Sequence, residues 1–227
     1  MAAKVNNMEM TLDYLPHSRL KLYQRKDHFR INTDTHALSL FMKIRENDVV
    51  LDIGTNNGAL LLEASVYRPK KLIGVDICEE AIEVAKLNMA YHKLENVDLH
   101  ATPIQNYHGK KVDVIISNPP YFVQPSKELR SQQSQMESAR FQTTLTIDDL
   151  FESIGRNLKK EGRIYLVFRA DYLHELIISA SHHGLFLQRM QTVEDCRRAT
   201  VSTMCLQFGY KRRATLIEKS LKIGECE

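Results

Sequence analysis

The chain is predicted to be an α/β protein: a mostly parallel sheet of seven strands with helices on both faces and an antiparallel strand at one edge. Three observations carry this. From Val49 onward, short apolar runs of strand character alternate with segments of helical period. A glycine-containing turn, Asp52-x-Gly54-x-Asn56-x-Gly58, joins the first of these runs to the first helix. Near the C-terminus two strand-like runs follow each other with no helix between them, as an antiparallel hairpin requires.

Taken in order, residues 1–47 are an N-terminal extension, basic between Arg19 and Arg30, with a helix from Thr35 to Lys43 that packs on the core. Residues 48–227 are the main domain. It opens with a strand over Val49 to Ile53 and a helix from Ala59 to Tyr67. A second strand spans Lys71 to Val75, and the helix after it, Glu79 to His92, gains one mainly apolar face from Ile82, Ala85, Lys86 and Met89. Val97 to Ala101 and Val112 to Ser117 are the third and fourth strands. The fourth stops at Asn118-Pro119-Pro120-Tyr121, because two prolines neither continue a strand nor open a helix. Residues 122–146 form a polar connection longer than compact domains usually carry, which suits a binding loop or lid. A helix (Ile147 to Leu158), a strand (Arg163 to Arg169), a helix (Asp171 to His183) and strands at Leu185 to Val193 and Val201 to Gly209 complete the domain.

Composition narrows the class. With 227 residues, 43% hydrophobic and 26% charged, the chain suits a soluble globular protein with a real core. No apolar run approaches the roughly 20 residues that cross a bilayer, so no membrane association is expected. Met1 to Met10 is polar and lacks a signal-peptide core, so the cytoplasm is the expected compartment. Cys78, Cys196, Cys205 and Cys226 show no C-x-x-C pairing, and the histidines form no ligand cluster; free thiols and no metal are expected. A net charge of +3 is too small to imply nucleic-acid binding by itself.

The chemistry sits at three strand ends. Gly54 and Gly58 let the backbone turn tightly and approach a ligand, but Asn56 breaks the dinucleotide fingerprint and no Lys-Ser/Thr follows for a triphosphate. Asp52 suits a cationic group such as an ammonium. Asp76, at the end of the next strand, is placed to take a ribose diol; its plainer reading is a cap on the following helix. An ammonium-binding acid, a glycine turn and a ribose-binding acid together describe S-adenosylmethionine. At the fourth strand end, the Asn118 side-chain oxygen and the Pro119 carbonyl can accept two hydrogens of a planar amino group, with Pro120 stiffening the turn and Tyr121 stacking on the substrate. The plainer reading is a strand-ending turn with a tyrosine beside it.

With VLDIGTNNG, GVDI and SNPPYF in this order, the chain resembles class I (Rossmann-like) S-adenosylmethionine-dependent methyltransferases that modify amino or amide nitrogens. Within them it resembles the bacterial tRNA(Val) adenine-37 N6-methyltransferase family, through Tyr23-Gln24, Phe29 to Thr35, Glu137 to Arg140, LTIDDL at Leu145 to Leu150, and Leu158 to Arg163. The resemblance implies Thr33 and Asp34 near the methionine end of the cofactor, and Asp76 with Ile77 at the ribose. Where the family usually carries an acid near the adenine, this chain has Thr102 and Ile104, which could bond its edge and pack on its face. It further implies an RNA adenine in an anticodon loop as substrate, stacked by Tyr121, walled by Phe122 and approached by Arg140.

Two basic clusters could hold RNA phosphates or be solvated faces: Arg19, Lys21, Arg25, Lys26 and Arg30, and then Arg197, Arg198, Lys211, Arg212 and Arg213. The same turn serves glutamine N5-methyltransferases of release factors, guanine-N2 methyltransferases of ribosomal RNA and, less suitably here, DNA adenine methyltransferases. An inactive cofactor-binding RNA module would not need an amino-group clamp.

Overall fold

In a computed structural model the described residues are 9–119, 145–195 and 200–223. Pro120, Tyr121, Phe122, Arg140, Arg197, Arg198, Cys196, Cys226 and all of the 122–146 connection before Leu145 lie outside them. The chain runs β1 (Met10–Tyr14), β2 (Lys21–Arg25), α1 (Thr33–Phe41), β3 (Val49–Ile53), α2 (Ala59–Ser65), β4 (Lys71–Asp76), α3 (Glu79–Tyr91), β5 (Val97–Ala101) and β6 (Val112–Ser117). After the connection come α4 (Ile147–Asn157), β7 (Leu158–Arg169), α5 (Leu173–His182), β8 (Phe186–Asp195), β9 (Thr200–Gly209), β10 (Leu216–Ile217) and β11 (Leu221–Ile223).

The main sheet has the order β5-β4-β3-β6-β7-β9-β8, with β10 and β11 both pairing along β8. Strands β5 to β7 are parallel, so their C-terminal ends lie on one edge. The order reverses beside β3, and in open α/β sheets the crevice at such a reversal is where ligands bind. Both faces are covered: α1 and α2 share a core with Val50, Leu72, Val114 and Ile116, while α4 and α5 share one with Leu51, Ile53, Ile115 and Phe168. Double coverage is why the central strands are apolar at nearly every position.

The antiparallel strand differs from expectation in its place. It is β9, one position in from the edge between β7 and β8, and the short β10 and β11 extend the sheet to nine strands. Together they occupy the outer side of β8, whose backbone would otherwise be an open pairing edge.

The N-terminal extension contains an unexpected hairpin. Strands β1 and β2 form their own antiparallel pair and lie over α3. Polar side chains fasten it. Buried Asn88 on α3 accepts from the Tyr23 amide at 2.8 Å and donates to the Tyr23 carbonyl at 3.0 Å and to the Asn57 carbonyl at 2.9 Å. At the turn, the buried Glu63 carboxylate of α2 accepts from the amides of His17 at 3.2 Å and Ser18 at 2.9 Å. Beyond the hairpin, Asn32 caps α1 by accepting from the amides of Asp34 and Thr35, so the helix begins at Thr33, two residues earlier than predicted.

Asn88→Ala leaves three backbone groups without partners. Urea unfolding is expected to show a loss of about 2–4 kcal/mol, since each orphaned buried group costs about 1–3 kcal/mol. An unchanged midpoint would mean that the hairpin is held elsewhere.

Candidate active site

The C-terminal ends of β3, β4 and β6 converge with the first turn of α1. The loop after β3 is fixed from below by β4: the amides of Gly54 and Thr55 donate to the Val75 carbonyl at 2.8 and 3.1 Å. The Asp76 carboxylate takes the Asn56 amide on one oxygen at 2.8 Å and the Cys78 amide on the other at 2.9 Å. Asp76 therefore does serve the entry to α3. It also remains partly exposed, and a carboxylate oxygen has a second lone pair for a hydroxyl.

From above, the N-terminal segment closes on the same loop. The Asn56 side chain donates to the Phe29 carbonyl at 2.8 Å, so it faces the extension and does not point at a ligand. Gln24 accepts from Asn57 at 3.3 Å and from the Ile31 amide at 2.8 Å. The two glycines divide their roles. Both have positive φ, 74° at Gly54 and 80° at Gly58. A Cβ at Gly54 would meet open space, whereas one at Gly58 would lie 2.6 Å from the Met89 methyl on α3. Gly54 faces the crevice; Gly58 is needed for helix packing.

Asp52 is fully buried, and neither of its carboxylate oxygens meets a donor at full hydrogen-bond geometry; the Thr55 hydroxyl, also without a partner, lies close enough to favour the charged form. Burial pushes its pKa up to about 7, opposed by the Thr55 hydroxyl and helped by the Asp76 charge. Burial also raises the Asp76 pKa, opposed by the amides it accepts. A buried carboxylate without donors at Asp52, and one at Asp76 whose oxygens each keep a lone pair beyond the amide they accept, beside a loop open at Gly54, fit an ammonium and a ribose diol. S-adenosylmethionine presents both.

On β6, the Ser117 hydroxyl donates to the Ile53 carbonyl at 2.7 Å and holds the strand end against β3. The orientation of Asn118 follows from a chain of hydrogen bonds. Asn32 must present its oxygen to Thr35, because that oxygen already accepts two backbone amides at 3.1 Å. The Thr35 hydroxyl therefore donates to Asn32 at 3.3 Å and has only lone pairs to offer Asn118. Asn118 answers with its NH₂ at 3.3 Å, and its carbonyl oxygen has no hydrogen-bond partner among the described residues. Sequence reading missed Thr35 and Asn32 as parts of the site, although an Asn before a helix is a readable cap signal.

The remaining expected positions sort unevenly. Thr33 and Asp34 lie in the first turn of α1, with Asp34 buried. Ile77 is exposed beyond β4, and the Thr102 amide donates to the Asp76 carbonyl at 2.8 Å. Ile104 is turned into the core beside α4 and offers no platform for an adenine ring. Arg25, Lys26 and Arg30 are ion-paired with Asp27, Glu9 and Asp13, and the Arg25 side chain is only 11% exposed. Arg25 is therefore committed to its partner, while Lys26 and Arg30 stand in exposed pairs that hold them only weakly. Lys211, Arg212 and Arg213 follow the C-terminal end of β9, which runs against β7 and so lies at the sheet edge opposite Asn118. Among the described residues no three His, Cys, Asp or Glu side chains converge at metal spacing, and no helix is long and apolar enough to cross a membrane. Cys78 and Cys205 are free thiols.

Because folding raises the Asp52 pKa, the folded chain binds this proton more tightly than the unfolded chain between pH 3.8 and about 7. Its contribution to stability is present at the acid end and is lost as pH rises through that window. Without cofactor, wild type is expected to lose on the order of 4 kcal/mol relative to Asp52→Asn from about pH 4 to about pH 8. Parallel pH–stability curves in urea would place the unpaired carboxylate elsewhere.

Comparison with known proteins agrees with this geometry. The methyltransferase domain family matches residues 44–211. The tRNA1(Val) (adenine(37)-N6)-methyltransferase of Bacteroides thetaiotaomicron is 26% identical over 216 residues, covering 93% of this chain and 90% of its own. The protein of the same name from Tolumonas auensis is 28% identical, covering 87% and 83%. Among solved structures, Methanocaldococcus jannaschii Trm5 in complex with adenosine aligns with a TM-score of 0.65 at 16% identity, over 91% of this chain and 57% of its own. The ribosomal protein L11 methylase of Lactobacillus delbrueckii subsp. bulgaricus aligns at 0.60 and 16% identity, over 81% of each chain. Both structures share the fold. By its sequence, the chain belongs to the methyltransferase domain family.

Proposed function

We propose that the protein is an S-adenosylmethionine-dependent methyltransferase acting on the exocyclic N6 of adenine in tRNA, with adenine-37 of tRNA(Val), presented by the anticodon loop, as its target. The observation that carries this is the orientation of Asn118 at the end of β6: its NH₂ is held by Thr35, and its oxygen has no partner among the described residues. The name shared by relatives that match most of the chain supports the choice of tRNA and of adenine over glutamine. A tRNA substrate is consistent with a cytoplasmic protein. Residues 1–47 serve as an extension that closes over the cofactor loop, and 48–227 as the catalytic domain.

S-adenosylmethionine, when bound, supplies an electrophilic methyl group on a sulfonium sulfur. In the residues that would hold it, Asp52 takes the ammonium, Asp76 the ribose hydroxyls, and Gly54 leaves room for close approach. Thr33, Asp34, Ile77 and Thr102 border the same crevice. Asn118 and the Pro119 carbonyl accept the two N6 hydrogens of adenine. The nitrogen lone pair is otherwise delocalised into the ring, and these acceptors favour charge developing on nitrogen. The stacking and walling roles that the family resemblance implies for Tyr121 and Phe122 fall outside the described residues. The proton released from nitrogen passes to water, so no dedicated base is required.

The test is to incubate the protein with labelled S-adenosylmethionine and total tRNA, release factor or ribosomal RNA, and to identify the product. N6-methyladenosine in tRNA is expected; N5-methylglutamine in release factor would replace this reading. Asn118→Ala should lower kcat by about 10²–10³, as loss of one preorganised polar contact does elsewhere. Thr35→Val frees the Asn118 amide to rotate. It should lower kcat about 3- to 10-fold, the effect of one neutral hydrogen bond, while cofactor affinity is unchanged. Equal kcat for Thr35→Val and wild type would remove Thr35 from the mechanism.

A further inference from the structure

At the sheet edge opposite Asn118, the N-terminal ends of β7 and β8 and the C-terminal end of β9 surround a cavity of about 730 Å³. Two irregularities shape it. Pairing of β6 with β7 jumps from Val112 opposite Leu158 to Val114 opposite Arg163, which loops Lys159 to Gly162 out of the ladder. Pairing of β8 with β9 jumps from Leu187 opposite Phe208 to Arg189 opposite Gln207, which makes Gln188 an extra residue. Bulges re-aim side chains and concentrate next to functional sites. Here both open onto one space, lined by Lys160, Gln188 and Arg189 among others.

The floor of the cavity is a locked polar layer. The Arg189 side chain is only 7% exposed, and its guanidinium lies 3.7 Å from the centre of the Phe41 ring. It donates to the Phe41 carbonyl and, at 3.2 Å, to Gln207, and it pairs with Glu218 at 2.8 Å. Gln207 donates to Gln188 at 3.4 Å, and Arg213 donates to the same Gln188 oxygen. Such a network fixes the positions of the charges around it.

Those charges do not cancel. Arg163 is paired with Asp48 and Lys211 with Glu161. Lys43, Arg45 and Lys160 line the cavity without an ion pair to any described acid, and Arg213 bonds to a neutral amide. An ordinary basic surface spreads its charges over a convex, solvated face. Four uncompensated cations converging on a concavity over a rigid floor focus positive potential instead. The volume suits a ligand of nucleotide size.

We infer that this cavity is a binding site for closely spaced phosphates, taken either from the backbone of the RNA substrate or from a free oligophosphate. It is separate from the methyl-transfer site and does not depend on adenine being the methyl acceptor.

The test compares wild type with Lys43→Glu/Lys160→Glu, two exposed positions away from the crevice at Gly54. Binding of inorganic tripolyphosphate is measured by calorimetry, tRNA binding across a salt series, and S-adenosylmethionine binding as the check on folding. Wild type is expected to bind tripolyphosphate and the variant to bind it at least about tenfold more weakly, the weight of charge-assisted bonds. S-adenosylmethionine binding is unchanged. Displacement of tripolyphosphate by tRNA, with a salt slope about 1.4–1.8 shallower in the variant, identifies the RNA backbone as the occupant. Tripolyphosphate binding that tRNA does not displace identifies a free oligophosphate. Should the charge reversals abolish S-adenosylmethionine binding, Lys43→Gln/Lys160→Gln makes the same comparison. Tripolyphosphate that does not bind wild type, or binds both proteins equally, overturns the assignment.

Discussion

The loop from Gly54 to Gly58 is held between strand β4 on one side and the N-terminal segment on the other. Strand β4 fixes it through the Val75 carbonyl and the Asp76 carboxylate. The N-terminal segment fixes it through the Phe29 carbonyl, Gln24 and the Asn88 node. Most of these bonds involve a backbone amide or carbonyl that would be costly to leave unpaired in a buried place. The open side of Gly54, the burial of Asp52 and the closeness of α1 to Asn118 all assume that this loop stays where it is. A binding loop made rigid from both sides needs little reorganisation to receive its ligand.

Charge is divided between the two edges of the sheet. At the C-terminal edge stand Asp52, Asp76 and the Asp34 turn of α1; at the opposite edge stand Lys43, Arg45, Lys160 and Arg213. Helix α1 runs between them, its first turn bonded to Asn118 and its last residue, Phe41, beneath the Arg189 guanidinium. Nine residues, about 13 Å of helix, thus join the acidic edge to the basic one. A small net charge can conceal this division, which is why the formal +3 was uninformative.

Much of the fold was legible because backbone rules leave marks in sequence. Strands β3, β5 and β6 begin and end where their apolar runs do, and the helix after Thr146 starts at a capping box with Asp149. The hairpin of β1 and β2 was not legible. It docks through Tyr23 backbone groups and Asn88, 65 residues away, so it carries no long apolar period to read. Strands β10 and β11, two and three residues long, are too short to stand out. In the site, acids and glycines at strand ends were visible, but the Asn118–Thr35 bond spans 83 residues and exists only in the folded chain. Ile104 was misplaced because an apolar residue after a strand can face a ligand or the core. The pairing of Arg25, Lys26 and Arg30 was not legible because Glu9 and Asp13 reach two of them only through the fold of the hairpin.

Asp52 carries a consequence for the stability of the folded chain. A buried carboxylate without a donor weakens the folded state, and a ligand that binds only the folded chain strengthens it in proportion to the logarithm of its concentration. Domains of this size keep only a narrow margin against unfolding, and their turnover by proteases follows that margin. A ligand that supplied Asp52 with a donor would therefore recover part of the cost of burying it.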